Sequence, residues 1–168
     1  MKISRARAAR IRLLVLDVDG VLTDGRLHYG PSGEETKIFN VRDGLGMVAA
    51  LRAGLGLAVI SGRASAAVTK RMAELGVAEV HQGVKDKSAV LDAMLRRLGL
   101  RPSEVAAMGD DIPDLELLSR AGLKLAPADA VAEVRRHADW TSRCSGGAGA
   151  VREAVEMLLR ARRAWPPR

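Results

Sequence analysis

Two carboxylates separated by a single residue, Asp17 and Asp19, follow a continuous apolar run at residues 13–16. Such a run predicts a strand that is buried on both faces of a parallel sheet. Ligands bind beyond the carboxyl ends of the strands in these sheets, so both acids are expected at the mouth of a site. A divalent cation with oxygen ligands would relieve their mutual repulsion, and this chemistry suits Mg²⁺. The alternative for this segment alone is a strand followed by an ordinary Asp-Gly turn.

Further polar groups occur where other predicted strands end or predicted helices begin. Ser61 follows an apolar run at residues 57–60, where a hydroxyl and backbone N–H groups can hold a phosphate. Lys87 lies just after Asp86, which is expected to cap a helix, and a cluster of acids follows the apolar run at 105–108. The further candidates are Ser61, Gly62, Arg63, Lys87, Asp110, Asp111 and Asp114.

The elements that must position these residues alternate along the chain between apolar runs and segments of helical periodicity. This alternation predicts an α/β fold, a Rossmann-like parallel sheet flanked by helices and joined by right-handed crossovers. The predicted strands lie at residues 13–16, 57–60, 79–81, 105–108, 123–126 and 139–141. The predicted helices include residues 43–52, 64–75 and the amphipathic segment that contains Val151, Val155 and Leu158.

Residues 26–40 read as a β-hairpin flap around a Pro-Ser-Gly turn. The flap holds apolar side chains at Leu27, Tyr29, Ile38 and Phe39, and a projecting hairpin cannot bury both of its faces against one small domain. A lone hairpin is also only marginally stable in water. The sequence therefore predicts that the flap mediates association between copies of the chain.

Length and composition predict one domain over residues 1–168, without a membrane span and with a single cysteine, Cys144, which agrees with a reducing cytoplasmic location. The net charge of +7 comes from the two ends, which carry nine basic residues and no acid. Residues 13–159 contain the other 18 basic residues and all 20 acidic residues, so this part of the chain is not basic. We interpret residues 1–10 as a basic tail and residues 161–168 as a frayed end. This distribution favours solvated ends over a nucleic-acid site.

The motifs of the haloacid dehalogenase superfamily resemble the segment at residues 17–24, Asp-Val-Asp-Gly-Val-Leu-Thr-Asp. The later motifs of that superfamily match Ser61, Lys87 and Asp110, in this order along the chain. The resemblance implies that Asp17 is a nucleophile and that Asp19 is a general acid and base. It also implies that Ser61 and Lys87 bind the phosphoryl group. By the same resemblance, Mg²⁺ would be held by Asp17, Asp110 and the backbone carbonyl of Asp19. Asp111 and Asp114 would support these ligands from the next layer of residues.

The spacings between these motifs leave no room for the cap domain that many members of the superfamily carry. The string at residues 24–44 resembles the capless 3-deoxy-D-manno-octulosonate 8-phosphate phosphatases, homotetramers whose hairpins build a central barrel and whose sites lie between subunits. The likeness runs from about residue 11 to residue 159 and includes the segment at 146–153. The substrate-binding residues that it implies, besides those above, are Asn40, Val41, Arg42, Asp43, Gly44, Gly62, Arg63 and Arg71.

The expected function is Mg²⁺-dependent hydrolysis of 3-deoxy-D-manno-octulosonate 8-phosphate through an aspartyl-phosphate, a step of lipopolysaccharide precursor synthesis in that family. Arginines suit this acidic sugar phosphate, which carries both a phosphate and a carboxylate. Val48 stands where some members have a basic residue. Two alternatives stay open: a phosphatase of a nine-carbon keto-acid phosphate, and a non-catalytic phosphate-binding or assembly module.

Overall fold

The computed structural model describes residues 3–166, and its sheet is built around the apolar run that precedes Asp17. This run forms β1 (Leu13–Leu16), which pairs in parallel with β4 (Gly56–Ile60) on one side and with β6 (Val105–Met108) on the other. The other strands are β2 (His28–Tyr29), β3 (Glu35–Thr36), β5 (Glu79–His81), β7 (Leu123–Ala126) and β8 (Trp140–Thr141). Six of them form a parallel sheet in the order β5-β4-β1-β6-β7-β8, which confirms the predicted α/β class.

Helices cover both faces of this sheet because its central strands are apolar at every position. Leu14 and Leu16 point into one core layer, whereas Leu13 and Val15 point into the other, as the two-residue period of a strand requires. The helices are α1 (Arg5–Ala9), α2 (Val41–Arg52), α3 (Ala66–Leu75), α4 (Lys87–Leu98), α5 (Leu115–Arg120), α6 (Ala132–His137) and α7 (Ala150–Ala161). Helices α1, α2, α3 and α7 pack on the first layer, and α4, α5 and α6 pack on the second.

Polar side chains cap the helices that begin near the predicted site. The Asn40 side chain accepts a hydrogen bond from the Arg42 amide at the start of α2, and Asp86 accepts one from the Ala89 amide at the start of α4. The cap predicted at Asp86 is therefore present. Helix α3 begins at Ala66 after Ser65, two residues later than the sequence predicted, because residues 62–65 first turn away from the end of β4.

The glycine-rich segment at residues 146–149 packs against the loop that follows β1. A Cβ atom on Gly146 would overlap the backbone carbonyl of Gly20, so only glycine fits at this position. The Gly147 amide donates a hydrogen bond to the Val21 carbonyl at 3.0 Å, and the Gly147 carbonyl accepts one from the Asn40 side chain at 3.1 Å. These contacts fix the backbone that carries Asp19.

The two ends of the chain differ from the sequence-based prediction of solvated tails. Residues 5–9 form α1, which packs against α7, and the Arg7 guanidinium pairs with Asp139 at 2.7 Å. Trp165 packs against the core, and the Arg152 guanidinium lies 4.6 Å from its ring centroid. The ends were misjudged because their arginines fold back onto backbone carbonyls and an acid distant in sequence. Residues 1–2 and 167–168 of these predicted ends lie outside the described part. No helix between residues 3 and 166 is long and apolar enough to cross a membrane.

The predicted hairpin is present, with β2 and β3 antiparallel and His28 opposite Thr36. Its strands are only two residues long. Leu27, Tyr29 and Ile38 are exposed on the hairpin, and Val41 and Leu45 are exposed on α2. Phe39 was wrongly grouped with the exposed residues of the flap, because its ring packs against the first core layer of its own chain.

Candidate active site

The pairing of β1 with β6 brings together acids that are more than ninety residues apart in the sequence. Leu16 lies opposite Met108, so Asp17 and the Gly109-Asp110 segment leave the sheet side by side. The Asp17 amide donates to the Met108 carbonyl at 3.1 Å. Carboxylate oxygens of Asp17, Asp110 and Asp114 all lie within 4.8 Å of one another. The predicted acidic cluster therefore exists at the carboxyl edge of the sheet.

Lys87 is the cation that holds two of these carboxylates. It is the first residue of α4, and its Nζ lies 2.8 Å from Asp17 Oδ1 and 2.6 Å from Asp114 Oδ1. All three side chains are nearly inaccessible to solvent, where an unpaired charge would be costly. Burial alone would lower the pKa of Lys87, but the two carboxylates outweigh it and raise that pKa. Lys87 thus stays charged and fixes the Asp17 side chain.

Asp114 uses both of its oxygens to hold the cluster in place. Oδ1 accepts from Lys87, and Oδ2 accepts from the backbone amides of Asp110 at 3.0 Å and Asp111 at 3.4 Å. A Cβ atom at position 109 would overlap the Asp114 side chain, which explains the glycine there. The Asp111 side chain accepts from the Ile112 amide and begins the short turn that contains Pro113. Asp114 and Asp111 therefore shape the loop that presents Asp110.

The electrostatics of Asp17 and Asp110 suit a bound cation. Burial, with a contribution from the Asp114 charge, raises the pKa of Asp17 to about 6 and that of Asp110 to about 7. Within residues 3–166, no donor forms a hydrogen bond with the Asp110 carboxylate. Gly20 lies so close to this carboxylate that a Cβ atom would overlap it. Closely spaced, partly desolvated carboxylates, of which Asp110 has no donor among the described residues, fit Mg²⁺.

Ser61 and its neighbours complete the same cavity. The Ser61 side chain is buried at the end of β4, its amide donates to the His81 carbonyl at 2.9 Å, and its hydroxyl accepts from the Arg63 amide at 3.3 Å. The cavity has a volume of about 340 Å³. It is lined by Asp17, Asp19, Gly25, Ser61, Gly62, Arg63, Lys87, Asp110, Asp111, Pro113 and Asp114.

The other predicted substrate residues lie outside this cavity within one chain. They are Asn40, Val41, Arg42, Asp43, Gly44 and Arg71. Asp43 is fully buried, and its carboxylate accepts from the Arg152 amide at 2.7 Å and from the Gly149 amide at 3.2 Å, so it anchors the start of α7. Burial raises the pKa of Asp43. The Arg71 guanidinium lies against Gly44, where it would overlap any larger residue.

Two flap residues that sequence reasoning missed contact the site. The Lys37 ammonium pairs with Asp19 and lies 2.8 Å from Glu35 Oε1. The Arg63 guanidinium pairs with Glu35, and its Nε lies 3.7 Å from Asp19 Oδ2. The available signal was the two-residue spacing of Glu35 and Lys37 in a predicted strand, which places both side chains on one face. We call these four residues, Asp19, Glu35, Lys37 and Arg63, the flap charge cluster.

Comparison with known proteins gives the family. The family profile of haloacid dehalogenase-like hydrolases matches residues 60–153. The 3-deoxy-D-manno-octulosonate 8-phosphate phosphatase KdsC of Escherichia coli K12 is 44% identical over 154 residues, which cover 92% of this chain and 82% of that protein. The chain belongs to the haloacid dehalogenase-like hydrolases, in the family of the 3-deoxy-D-manno-octulosonate 8-phosphate phosphatases.

Solved structures of this phosphatase family superpose closely on the chain. The Moraxella catarrhalis 3-deoxy-D-manno-octulosonate 8-phosphate phosphatase, crystallised with magnesium, phosphate and KDO, is 40% identical with a TM-score of 0.93; the match covers 96% of this chain and 92% of that one. A cobalt-bound family member from Haemophilus influenzae is 36% identical with a TM-score of 0.91, over 95% of both chains. Divalent metals therefore occur in the structures of these two phosphatases.

The raised pKa values predict how the stability of the metal-free protein depends on pH. In the folded state the pKa of Asp17 is raised from 3.8 to about 6, and that of Asp110 from 3.8 to about 7. The protonated carboxyls therefore favour the folded state, and this stability is lost as the pH rises through these two values. Asp110→Asn removes a buried charge and its repulsion from neighbouring carboxylates, so it should raise the thermal midpoint of the metal-free protein at pH 8. The expected gain is roughly 2–4 °C for each kcal/mol of destabilisation removed. At pH 5 the gain should be smaller.

Mg²⁺ should reverse this dependence because it binds the ionised carboxylates. We expect Mg²⁺ to raise the midpoint of the unsubstituted protein more at pH 8 than at pH 5, and to leave Asp110→Asn nearly unchanged. Scanning calorimetry with and without the metal measures both effects. Asp92→Asn in α4 serves as the control and should respond to Mg²⁺ as the unsubstituted protein does. An equal response in Asp110→Asn would contradict the assignment of the metal site.

Proposed function

We propose that this chain is a Mg²⁺-dependent phosphomonoesterase that hydrolyses 3-deoxy-D-manno-octulosonate 8-phosphate to the free sugar acid and phosphate. The observation that carries the proposal is the Asp17 carboxylate, held by buried Lys87 in a cavity that also contains Ser61 and Asp110. A fixed carboxylate beside phosphate-binding groups suits nucleophilic attack on phosphorus. The names of the relatives supply the substrate, an acidic sugar phosphate.

In the proposed reaction, one Asp17 oxygen attacks phosphorus while the bond between phosphorus and the sugar oxygen breaks. Asp19 donates a proton to the departing oxygen. A water molecule then attacks phosphorus, Asp19 takes up its proton, and the bond to Asp17 breaks to release inorganic phosphate. Lys87 and the Ser61 hydroxyl, with neighbouring backbone amides, hold the phosphoryl oxygens during both displacements.

The proposed metal ligands are Asp17, Asp110 and the backbone carbonyl of Asp19. Bound there, Mg²⁺ would supply positive charge that stabilises the charge on the phosphoryl oxygens. Asp114 is engaged with Lys87 and two backbone amides, so we assign it the orienting role, together with Asp111. Lys87 holds Oδ1 of Asp17, and we assign the attack on phosphorus to the other oxygen of this carboxylate.

The proposed recognition of the sugar acid uses arginines from more than one copy of the chain. Arg63 lines the cavity of its own chain, whereas Arg71 and the segment Asn40-Val41-Arg42-Asp43-Gly44 lie outside it. Tyr29 and Ile38 on the flap and Val41 at the start of α2 are exposed apolar side chains that association would bury. We infer a homotetramer joined through the flap, in which exposed Val41 and Arg42, together with Arg71, face a neighbour's cavity, while buried Asp43 holds this segment to α7. A related nine-carbon keto-acid phosphate remains the alternative substrate.

Replacement of the nucleophile gives the first functional test. Asp17→Asn keeps the size of the side chain but removes the attacking charge, so kcat with 3-deoxy-D-manno-octulosonate 8-phosphate should fall more than about 10³-fold. Asp92→Asn, which leaves the cavity intact, should retain activity. Phosphate release measured over a panel of sugar phosphates ranks the substrates by kcat/KM. Substantial turnover by Asp17→Asn, or a preference for a neutral sugar phosphate, would count against the proposal.

Charged substitutions on the flap test the assembly. Tyr29→Asp together with Ile38→Asp should yield smaller oligomers in sedimentation velocity, because two charges cannot be buried in an apolar interface. Activity towards the sugar phosphate should fall more than activity towards p-nitrophenyl phosphate, since the small ester needs only the cavity of one chain. Leu98→Asp, at an exposed apolar residue on α4, is the matched control and should change neither property. Sedimentation of the unsubstituted protein as a fully active monomer would overturn the inference.

A further inference from the structure

Lys37 is a buried cation that the reaction outlined above does not use. Only 2% of its side chain is exposed, although it lies in the flap, directly after the short strand β3. Glu35 and Lys37 point to the same side of the extended chain because they are two residues apart. Their side chains therefore turn inward to Asp19, while Ile38 and Thr36 are exposed.

The contacts of Lys37 make the position of Asp19 depend on the flap. Its ammonium group pairs with Asp19 Oδ1 and lies 2.8 Å from Glu35 Oε1. Glu35 in turn pairs with Arg63, whose Nε approaches Asp19 Oδ2 at 3.7 Å. A buried ammonium is tolerated only when carboxylates compensate it, so Lys37, Asp19 and Glu35 hold one another in place. Asp19 follows β1 on a loop, and its side chain obtains its orientation from these partners.

We propose that Lys37 is a positioning residue that orients Asp19 for proton transfer to the leaving oxygen of the substrate. This inference rests on the proposed phosphatase function and adds a flap residue to it. Lys37 holds Oδ1 of Asp19, and the proton is carried on Oδ2, where the Arg63 Nε at 3.7 Å is beyond hydrogen-bond distance. Glu35 then remains as the carboxylate that compensates the Lys37 ammonium group. As the bond between phosphorus and the leaving oxygen breaks, that proton passes from Oδ2 to the leaving oxygen. Glu35, on β3 of the same flap, holds the Lys37 ammonium group in place. The orientation of Asp19 during proton transfer therefore depends on the folded hairpin.

A purely structural role for Lys37 predicts different kinetics from a positioning role. If Lys37 only stabilised the hairpin, its loss would slow all substrates alike. If it orients the general acid, its loss should slow esters with basic leaving groups, because these need a proton, and spare esters whose leaving group departs as a stable anion. The quantity to compare is kcat/KM, since it includes the steps up to departure of the leaving group and excludes hydrolysis of the aspartyl-phosphate.

The experiment compares Lys37→Met, Lys37→Arg and the control Lys70→Met on phenyl phosphate, 2,4-dinitrophenyl phosphate and 3-deoxy-D-manno-octulosonate 8-phosphate. Lys70 is an exposed residue of α3 outside the cavity. We expect Lys37→Met to lower kcat/KM about 10²-fold for phenyl phosphate and the sugar phosphate, but less than about threefold for the dinitrophenyl ester. Lys37→Arg, which retains the charge, should recover part of the loss. Lys70→Met should resemble the unsubstituted protein.

A double-mutant cycle shows whether Lys37 acts through Asp19. In an Asp19→Asn background, Lys37→Met should produce little further loss with phenyl phosphate, because residues that act as a unit are not additive. Equal losses with the two aryl esters, or full additivity with Asp19→Asn, would overturn the positioning role while leaving the phosphatase function intact. Absence of turnover of all three substrates by the unsubstituted protein would instead overturn the proposed function itself.

Discussion

The structure depends on one electrostatic constraint: carboxylates that the sheet forces together must be compensated. Parallel pairing of β1 with β6 places Asp17 and Asp110 at the same edge, and Asp114 joins them from the following turn. Lys87, at the start of α4, neutralises part of this charge through two short contacts. Gly20, Gly109 and Gly146 allow the surrounding backbone to approach closely enough to bury the cluster. Burial, with the repulsion from neighbouring carboxylates, raises the pKa values of Asp17 and Asp110, and the remaining excess of negative charge favours a divalent cation.

A second set of charges links this cluster to the flap. Asp19 follows Asp17 on the loop after β1, and it takes part in the flap charge cluster with Lys37, Glu35 and Arg63. The hairpin is held to the domain by ion pairs on its inner side and exposes apolar side chains on its outer side. One short element can therefore serve the proposed proton transfer and the proposed assembly at once.

The sequence predicted the features that depend on local pattern. Apolar runs located the central strands, and the polar residues after them located Asp17, Ser61 and Asp110. Lys87 followed from its place at the start of a capped helix. The features it could not predict depend on long-range packing. Asp43 was assigned to the substrate, yet in the folded chain it binds amides at the start of α7. The roles of Lys37 and Glu35 depend on the contact of the flap with Asp19, which no local pattern indicates. The arginines of α1 likewise contact distant backbone carbonyls and the Asp139 side chain.

The central claim is that Asp17, fixed by Lys87, becomes covalently phosphorylated. The most direct measurement uses Asp19→Asn with 2,4-dinitrophenyl phosphate, because that ester needs no proton to release its leaving group while the variant lacks the base for the second step. Acid quenching, proteolysis and mass spectrometry then locate the phosphoryl group. The account predicts a burst of dinitrophenol close to one equivalent and a phosphoryl group on the Asp17 side chain. Dinitrophenol release with the phosphoryl group on another residue, or with none bound to the protein, would contradict it.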